Sequence, residues 1–134
     1  MPALDLFLPM PPTTNNLYQT VVNPKTHRVM RQKTKAYEAW IELAGRAPLA
    51  GSWRRLVEDG EDTPPWALHL NVYGLPVNAD LSNRLKATED LICVMTGLAD
   101  CKTQRVLLVK EPKHVTLGAC VRVWVATLTA EEVG

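Results

Sequence analysis

The feature that most constrains the fold is a succession of strand, helix and strand patterns over residues 66–112. In "WALHLNVYGLP" (66–76), apolar side chains alternate with polar or aromatic ones, which is the period of a half-buried β-strand. Over residues 80–98 the apolar side chains instead recur every three or four positions, which predicts an amphipathic helix. The segment "QRVLLVKEP" (104–112) is again typical of a strand. Elements of this kind bury their apolar sides when helices pack on a sheet.

The rest of the chain adds one strand and one helix before this succession and one strand after it. The segment "LDLFLP" (4–9) predicts a first strand, which the following prolines stop. Apolar residues spaced by three and four predict a helix from about residue 30 to residue 47. "TLGACVRVWVATL" (116–128) predicts the last strand. We therefore predict an α+β fold, a mixed β-sheet with two main helices in the order β-α-β-α-β-β, whose last two strands form a hairpin.

Length and composition indicate one ordinary globular domain, residues 1–134. The apolar fraction is 46% and the charged fraction is 22%. Residues 48–65 lose periodicity and gain Pro, Gly and acidic residues, so we expect a surface excursion there. No apolar run approaches the roughly 18 residues that span a bilayer, and the first ten residues do not resemble a secretory signal. We expect no membrane association and a cytoplasmic location.

Charge is distributed unevenly along the chain, although the net charge is only +1. The segment "KTHRVMRQKTK" (25–35) carries five Lys or Arg residues and no acid, whereas "EDGED" (58–62) carries four acids. A basic segment of this kind is suited to contact with nucleic-acid phosphates. The alternative is a solvated basic face, which the low net charge favours.

Polar residues flank the predicted helix of residues 80–98. Asp80 begins this helix and Asp100 follows it, so the two acids are about one helix length apart. They meet only if the segment after Gly97 folds back toward Asp80, or if a partner chain intervenes. Taken alone, Asp80 is an N-cap, Lys86 pairs with Asp90 four residues later, and Asp100 is a turn residue.

Two segments of the chain resemble the RusA family of Holliday junction resolvases (crossover junction endodeoxyribonucleases). They are "LPMPPTTNNLY" near the start and "DLSNRLKATEDL…GLADC…VLLVKEP" in the second half. The resemblance runs in order over residues 4–128 and is weakest over 45–66. Its most specific part is the pattern D-L-x-N-x-x-K-A-x-x-D at 80–90. It implies a RusA-like fold, a homodimer and magnesium-dependent hydrolysis of phosphodiesters in branched double-stranded DNA, at four-way junctions.

The same resemblance implies a Mg²⁺ site, in which Mn²⁺ can substitute. Members of the family carry a D-x-D-N-x-x-K run, which places the first acid on Asp80, the asparagine on Asn83 and the lysine on Lys86. Alignment back from "VLLVKEP" places a further acid on Asp100, while Ser82 replaces the family's second acid. The implied metal ligands are Asp80, Asp100 and Ser82, with Asn83 orienting a ligand and Lys86 stabilising charge on the phosphate. Loss of one carboxylate lowers the affinity for Mg²⁺, although a serine hydroxyl ligates Mg²⁺ where phosphate supplies the missing charge.

We call residues 8–20, "LPMPPTTNNLYQT", the hook. On its own, this stretch is typical of a rigid turn in which Asn and Thr side chains cap the backbone. The family has a similar hook near its active site, and this implies that the hook contacts DNA. The residues for which the resemblance implies DNA contact are Asn15, Asn16, Lys25, Arg28, Arg31, Lys33 and Lys35.

Three hypotheses about function follow. The first is a RusA-like endonuclease, weakened by Ser82. The second is a catalytically inactive protein that binds DNA junctions and retains the fold, the basic segment and the dimer. The third is a protein-binding adaptor that uses the acidic excursion.

Overall fold

A computed structural model describes residues 3–46 and 51–133 of the chain. It contains a four-stranded sheet, a separate two-stranded sheet and two main helices, so the predicted α+β fold with a mixed sheet is confirmed. The strands are β1 (Leu4–Pro9), β2 (Tyr18–Val22), β3 (Val29–Lys33), β4 (Trp66–Tyr73), β5 (Thr103–Glu111) and β6 (Cys120–Thr127). The helices are α1 (Lys35–Arg46), α2 (Leu85–Thr96) and the short α3 (Ala130–Val133).

The large sheet has the strand order β1-β6-β4-β5. Strand β6 pairs antiparallel with both β1 and β4, whereas β4 and β5 are parallel. The alternation predicted for β4 is present, because Leu68, Leu70 and Val72 are buried while the residues between them are partly exposed. The buried face of the sheet packs with the apolar sides of α1 and α2 to form one core.

The predicted hairpin between the last two strands is wrong. Strands β5 and β6 lie on opposite sides of β4 and do not pair with each other. Helix α2 carries the chain back between β4 and β5, and strands joined by such a crossover are parallel neighbours. Apolar periodicity identifies a strand but not its partner, and this is why the sequence pattern failed here.

The predicted start of the first helix is also wrong. Residues 29–33 form β3, which pairs with β2 as an antiparallel hairpin, and α1 begins only at Lys35. Thr34 marks the boundary, because its side-chain Oγ1 accepts a hydrogen bond from the backbone N–H of Tyr37 at 3.1 Å. The predicted end of this helix at residue 47 lies outside the described residues.

Within the described part of the excursion, residues 51–65, the stretch 55–57 packs across the end of α2. The backbone N–H groups of Leu56 and Val57 both donate to the carbonyl of Thr96, at 2.8 and 2.9 Å. Gly97 ends α2 with a positive φ of 85°, and a Cβ at this position would lie 2.2 Å from the carbonyl oxygen of Val57. This close approach fixes the segment against the helix end.

Among the described residues, none of the helices has the length and apolar character needed to cross a bilayer.

Candidate nucleic-acid interface

The hook lies against the segment that begins the second-half motif. Thr14 Oγ1 donates to the backbone carbonyl of Asn83 at 3.2 Å, although the two residues are 69 positions apart. The guanidinium of Arg84 donates to the carbonyl of Pro11 at 2.5 Å. Two stretches that carry the RusA resemblance are therefore neighbours in space.

The hook is anchored by its backbone and by buried apolar side chains, and its two asparagine side chains lie at the surface. Leu17 is buried, and Thr34 Oγ1 donates to the carbonyl of Asn16 at 2.5 Å. Asn15 and Asn16 are both exposed. Their amides are thus presented at the surface by a fixed turn, as contact with phosphate oxygens requires.

The basic segment, residues 25–35, forms most of the turn and the second strand of the β2–β3 hairpin, and the first residue of α1. Within the turn, the Asn23 side chain accepts from the backbone N–H groups of Lys25 and Thr26, at 2.9 and 3.3 Å. The Arg31 guanidinium lies 4.3 Å from the centre of the Tyr18 ring, which fixes it by a cation–π contact. The five cations predicted to contact DNA are all exposed: Lys25, Arg28, Arg31, Lys33 and Lys35.

Two open grooves meet at Tyr18 and join the hook, the hairpin and α2. The first, about 470 Å³, runs between the hook and the hairpin and is lined by Asn15 and Arg31 among others. The second, about 530 Å³, continues toward the end of α2. Its polar lining comprises Tyr18, Lys33, Tyr37, Asp90, Cys93 and Asp100. Together the two grooves form one open depression, with the cationic β2–β3 hairpin on one side.

Ionisable side chains of α2 near the second groove influence one another. Lys86 Nζ and Asp90 Oδ1 are 3.0 Å apart, which confirms the predicted i,i+4 pair. The hydrogen bond that Lys86 donates to Asp90, together with the negative charge of Asp90, raises the pKa of Lys86. Burial raises the pKa of Glu89, and repulsion from Asp90 and Asp100 adds to this although the Lys86 charge opposes it. Burial, reinforced by these acids, raises the pKa of Cys93 to about 11.

Asp80 lies apart from this group of acids. Its Oδ1 accepts from the backbone N–H of Ser82 at 3.1 Å and from the Ser82 hydroxyl at 2.8 Å. The predicted N-cap is therefore present, but it caps the 3₁₀ turn Leu81–Arg84 that precedes α2. Asp80 and Ser82 form a small local pair.

The structure does not bring Asp80 and Asp100 together within one chain. Lys110, near the end of β5, donates to the carbonyl of Ala79 at 2.8 Å, so the residue before Asp80 lies beside that end. Asp100 lies just before Thr103, where β5 begins. The seven steps from Thr103 to Lys110 span roughly 23 Å of extended strand. The condition that the chain folds back after Gly97 is thus not met.

The donor groups of a single chain do not fit the Mg²⁺ that the family resemblance implies. Mg²⁺ requires its oxygen ligands at about 2 Å from one centre. Asp80 and Ser82 are at one end of β5 and Asp100 is at the other. Over the ranges 3–46 and 51–133, no three His, Cys, Asp or Glu side chains are grouped around a possible cation position.

Sequence reasoning missed the hairpin and the contact made by Arg84. The hairpin had a signal, since "VVNPKTHRV" places an Asn-Pro turn between the pair Val21 and Val22 and a further valine, Val29. The Arg84 contact with the hook had none, because the two segments are joined only by the folded core.

A scan against models of protein families found no match to this chain, and a search of curated proteins also found none.

Proposed function

We propose that the chain is a RusA-like, structure-specific DNA endonuclease that acts on four-way junctions. One observation supports this most directly. The hook, the basic hairpin and the Asp80–Lys86 segment lie together on one surface, although the chain separates the hook from Asn83 by 69 residues. The hook and the segment that begins at Asp80 belong to the stretches that carry the resemblance.

In this proposal the hairpin cations bind phosphates on the DNA arms. All are exposed, so each phosphate they neutralise releases counterions and makes the affinity salt-dependent. Asn15 and Asn16 add hydrogen bonds from the hook. Lys86, whose side chain is half exposed, is paired with Asp90 of the second groove, and in this proposal it stabilises charge on a phosphate that enters there.

Hydrolysis in this proposal requires two chains. Because Asp80 and Asp100 of one chain lie at opposite ends of β5, a homodimer must bring Asp80 of one copy toward Asp100 of the other. Mg²⁺, or Mn²⁺ in its place, belongs to the proposal only in such a two-chain site. The cytoplasmic location also stays a prediction.

A second candidate function is binding of DNA junctions without cleavage. It is favoured by Ser82, which stands where the family has an acid, and by the hydrogen bond of Ser82 to Asp80 Oδ1. The binding surface is the same in both cases, so binding alone does not separate them.

A subunit-mixing experiment tests the endonuclease with its two-chain site. Asp80→Asn and Asp100→Asn variants are each expected to lose nicking of a synthetic four-way junction in Mg²⁺. If they are co-refolded in equal amounts, half the dimers are mixed and each has one intact pair, so about one quarter of the wild-type activity returns. Asp62→Asn, an exposed change in the acidic excursion, is the matched control and retains full activity.

The outcomes distinguish the alternatives. Recovery on mixing supports a two-chain site. Active wild-type protein without recovery contradicts the two-chain site, and tight junction binding by a wild-type protein that never nicks supports the second candidate.

Replacing Ser82 tests whether the missing carboxylate weakens metal-dependent nicking. Ser82→Asp restores the family's acid and is expected to raise metal-dependent nicking several-fold because a further carboxylate binds Mg²⁺. Ser82→Asn, of similar size and without charge, is expected to give no increase. An equal response of the two variants would contradict the assignment of Ser82 to the metal site.

A further inference from the structure

The β2–β3 hairpin is exposed on both of its faces. Nine of its ten strand residues are exposed, and only Tyr18 is partly buried. Its position next to the core comes mainly from the hook and from Thr34, because the strands pair only with each other. A two-stranded ribbon of this kind is marginally stable in water on its own.

Four large apolar side chains are concentrated at the far end of this ribbon. The cross-strand register pairs Val21 with Met30 and Val22 with Val29. Consecutive residues of a strand point to opposite faces, so each face carries one of these pairs. The exposed fractions are 36% for Val21, 56% for Val22, 69% for Val29 and 52% for Met30. We call these four residues the apolar tip.

Cations surround the apolar tip. Lys25 and Arg28 are in the turn beyond it, and Arg31 and Lys33 are on the strand behind it. All four are exposed, and residues 19–33 contain no acid. Exposed apolar side chains next to cations indicate a partner that is both apolar and negatively charged.

We propose that the apolar tip inserts at the centre of a branched DNA and packs against the faces of the base pairs beside the branch point. Stacking hides the faces of base pairs inside an unbranched duplex, whereas a branch point exposes them between converging phosphate chains. The four cations match those phosphates. Architectural proteins use Met and other apolar side chains as wedges between base steps in the same way. This inference rests on the proposed function, because it specifies how that substrate is recognised.

The proposal predicts which part of binding each group of residues supplies. The apolar tip is responsible for preference for branched over unbranched DNA and for unstacking at the branch. The cations supply affinity for any DNA. Removing two of them with Lys25→Ala and Arg28→Ala is expected to reduce the log–log salt slope by about 1.8 and to leave branch-point unstacking intact at low salt.

The test uses the full-length chain and a four-way junction with 2-aminopurine next to the branch point, in EDTA so that no cleavage occurs. Wild-type protein is expected to raise the 2-aminopurine fluorescence on binding, because the base loses its stacking partner. The double variant Val29→Ser with Met30→Ser is expected to abolish this rise and to weaken junction binding about 10-fold, with an unchanged salt slope. The matched control is Leu43→Ser with Val115→Ser, which removes two exposed apolar side chains elsewhere and retains the wild-type response.

Four results would overturn the inference. Junction binding by wild-type protein without a fluorescence change, or an unchanged response in the Val29→Ser and Met30→Ser variant, rejects the wedge and leaves the proposed function standing. Failure of wild-type protein to bind any junction rejects both. Tip-dependent binding to vesicles of phosphatidylserine and phosphatidylcholine, with no effect of the tip on DNA, identifies a lipid surface instead.

Discussion

Valine has opposite surroundings in the two β-sheets of this protein. In β6, Val121, Val123 and Val125 are completely buried between neighbouring strands and the helices, whereas Val22 and Val29 of the hairpin are more than half exposed. The same residue type favours both strands, because β-branched side chains suit an extended backbone. Of the two described sheets, only the four-stranded one is covered by helices, which remove its valine side chains from water. Strand propensity thus specifies the local conformation of both regions, but core packing stabilises only one.

The largest expected effect separates the two regions directly. Leu70 is fully buried in β4, so Leu70→Ala is expected to lower the free energy of unfolding by about 3 to 4 kcal/mol through lost burial and a residual cavity. Val29→Ala, in the exposed hairpin, is expected to change it by less than about 0.5 kcal/mol. Urea unfolding followed by circular dichroism measures both. A loss of similar size for Val29→Ala would show that the hairpin is part of the cooperative core.

The next-largest effect tests how firmly residues 55–57 of the excursion are held against the end of α2. Gly97 and Gly60 both have positive φ, so alanine is strained at either position. At Gly97 the new Cβ would also lie 2.2 Å from the Val57 carbonyl oxygen, while at Gly60 it meets nothing within 4 Å. Gly97→Ala is expected to cost about 3 kcal/mol and Gly60→Ala about 1 kcal/mol in thermal unfolding. Equal losses would mean that residues 55–57 move away readily.

A smaller effect is expected at the boundary between the hairpin and α1. Thr34 Oγ1 accepts from Tyr37 N–H and donates to the carbonyl of Asn16. Thr34→Ala removes this N-cap and is expected to cost about 1 kcal/mol in urea unfolding, whereas Thr34→Ser retains the hydroxyl and most of the stability. The alanine variant also loses the hydrogen bond from the Thr34 hydroxyl to the hook, so junction affinity is expected to fall with it. If stability falls but affinity does not, the hook does not contribute to binding.

The smallest effect concerns an ion pair at the sheet edge. Hydrogen bonding to Arg122, together with its charge, holds the pKa of Asp5 below the usual 3.8 although burial opposes this. A lowered folded-state pKa stabilises the protein above the unfolded pKa, and this contribution is lost as the pH falls through the folded value. Since the pair is partly exposed, wild type is expected to be more stable than Asp5→Asn by less than about 1 kcal/mol at pH 7, and this difference is expected to shrink as the pH falls below the unfolded-state pKa. A difference that grows in acid would contradict the sign.

Sequence patterns predicted the scaffold better than they predicted its connections. The alternation in β4 and the helical stripe of α2 are local and strong, so both elements were found. The partner of β5 depends on the crossover through α2, which no local pattern encodes. The hairpin was missed because its residues face water on both sides, and apolar periodicity reports only burial on one side.

For the candidate site, contacts between residues close in sequence were easier to predict than the distance between residues far apart in sequence. The N-cap at Asp80 and the Lys86–Asp90 pair follow from spacings of two to four residues, and both are present. The position of Asp100 relative to Asp80 depends on the direction of the chain after Gly97, which residue spacing does not specify. The assignments of Asn15, Asn16 and the hairpin cations to DNA contact stay predictions.

The place of β6 in the sheet has a consequence for synthesis. Leu8 of β1 pairs with Val121 of β6, a strand that follows much later in the chain. In a nascent chain, the strand that contains Leu4, Leu6 and Leu8 therefore has no partner strand until β6 has been synthesised. We expect this first segment to be where cellular chaperones engage the growing polypeptide, and β6 to be the element whose arrival releases them.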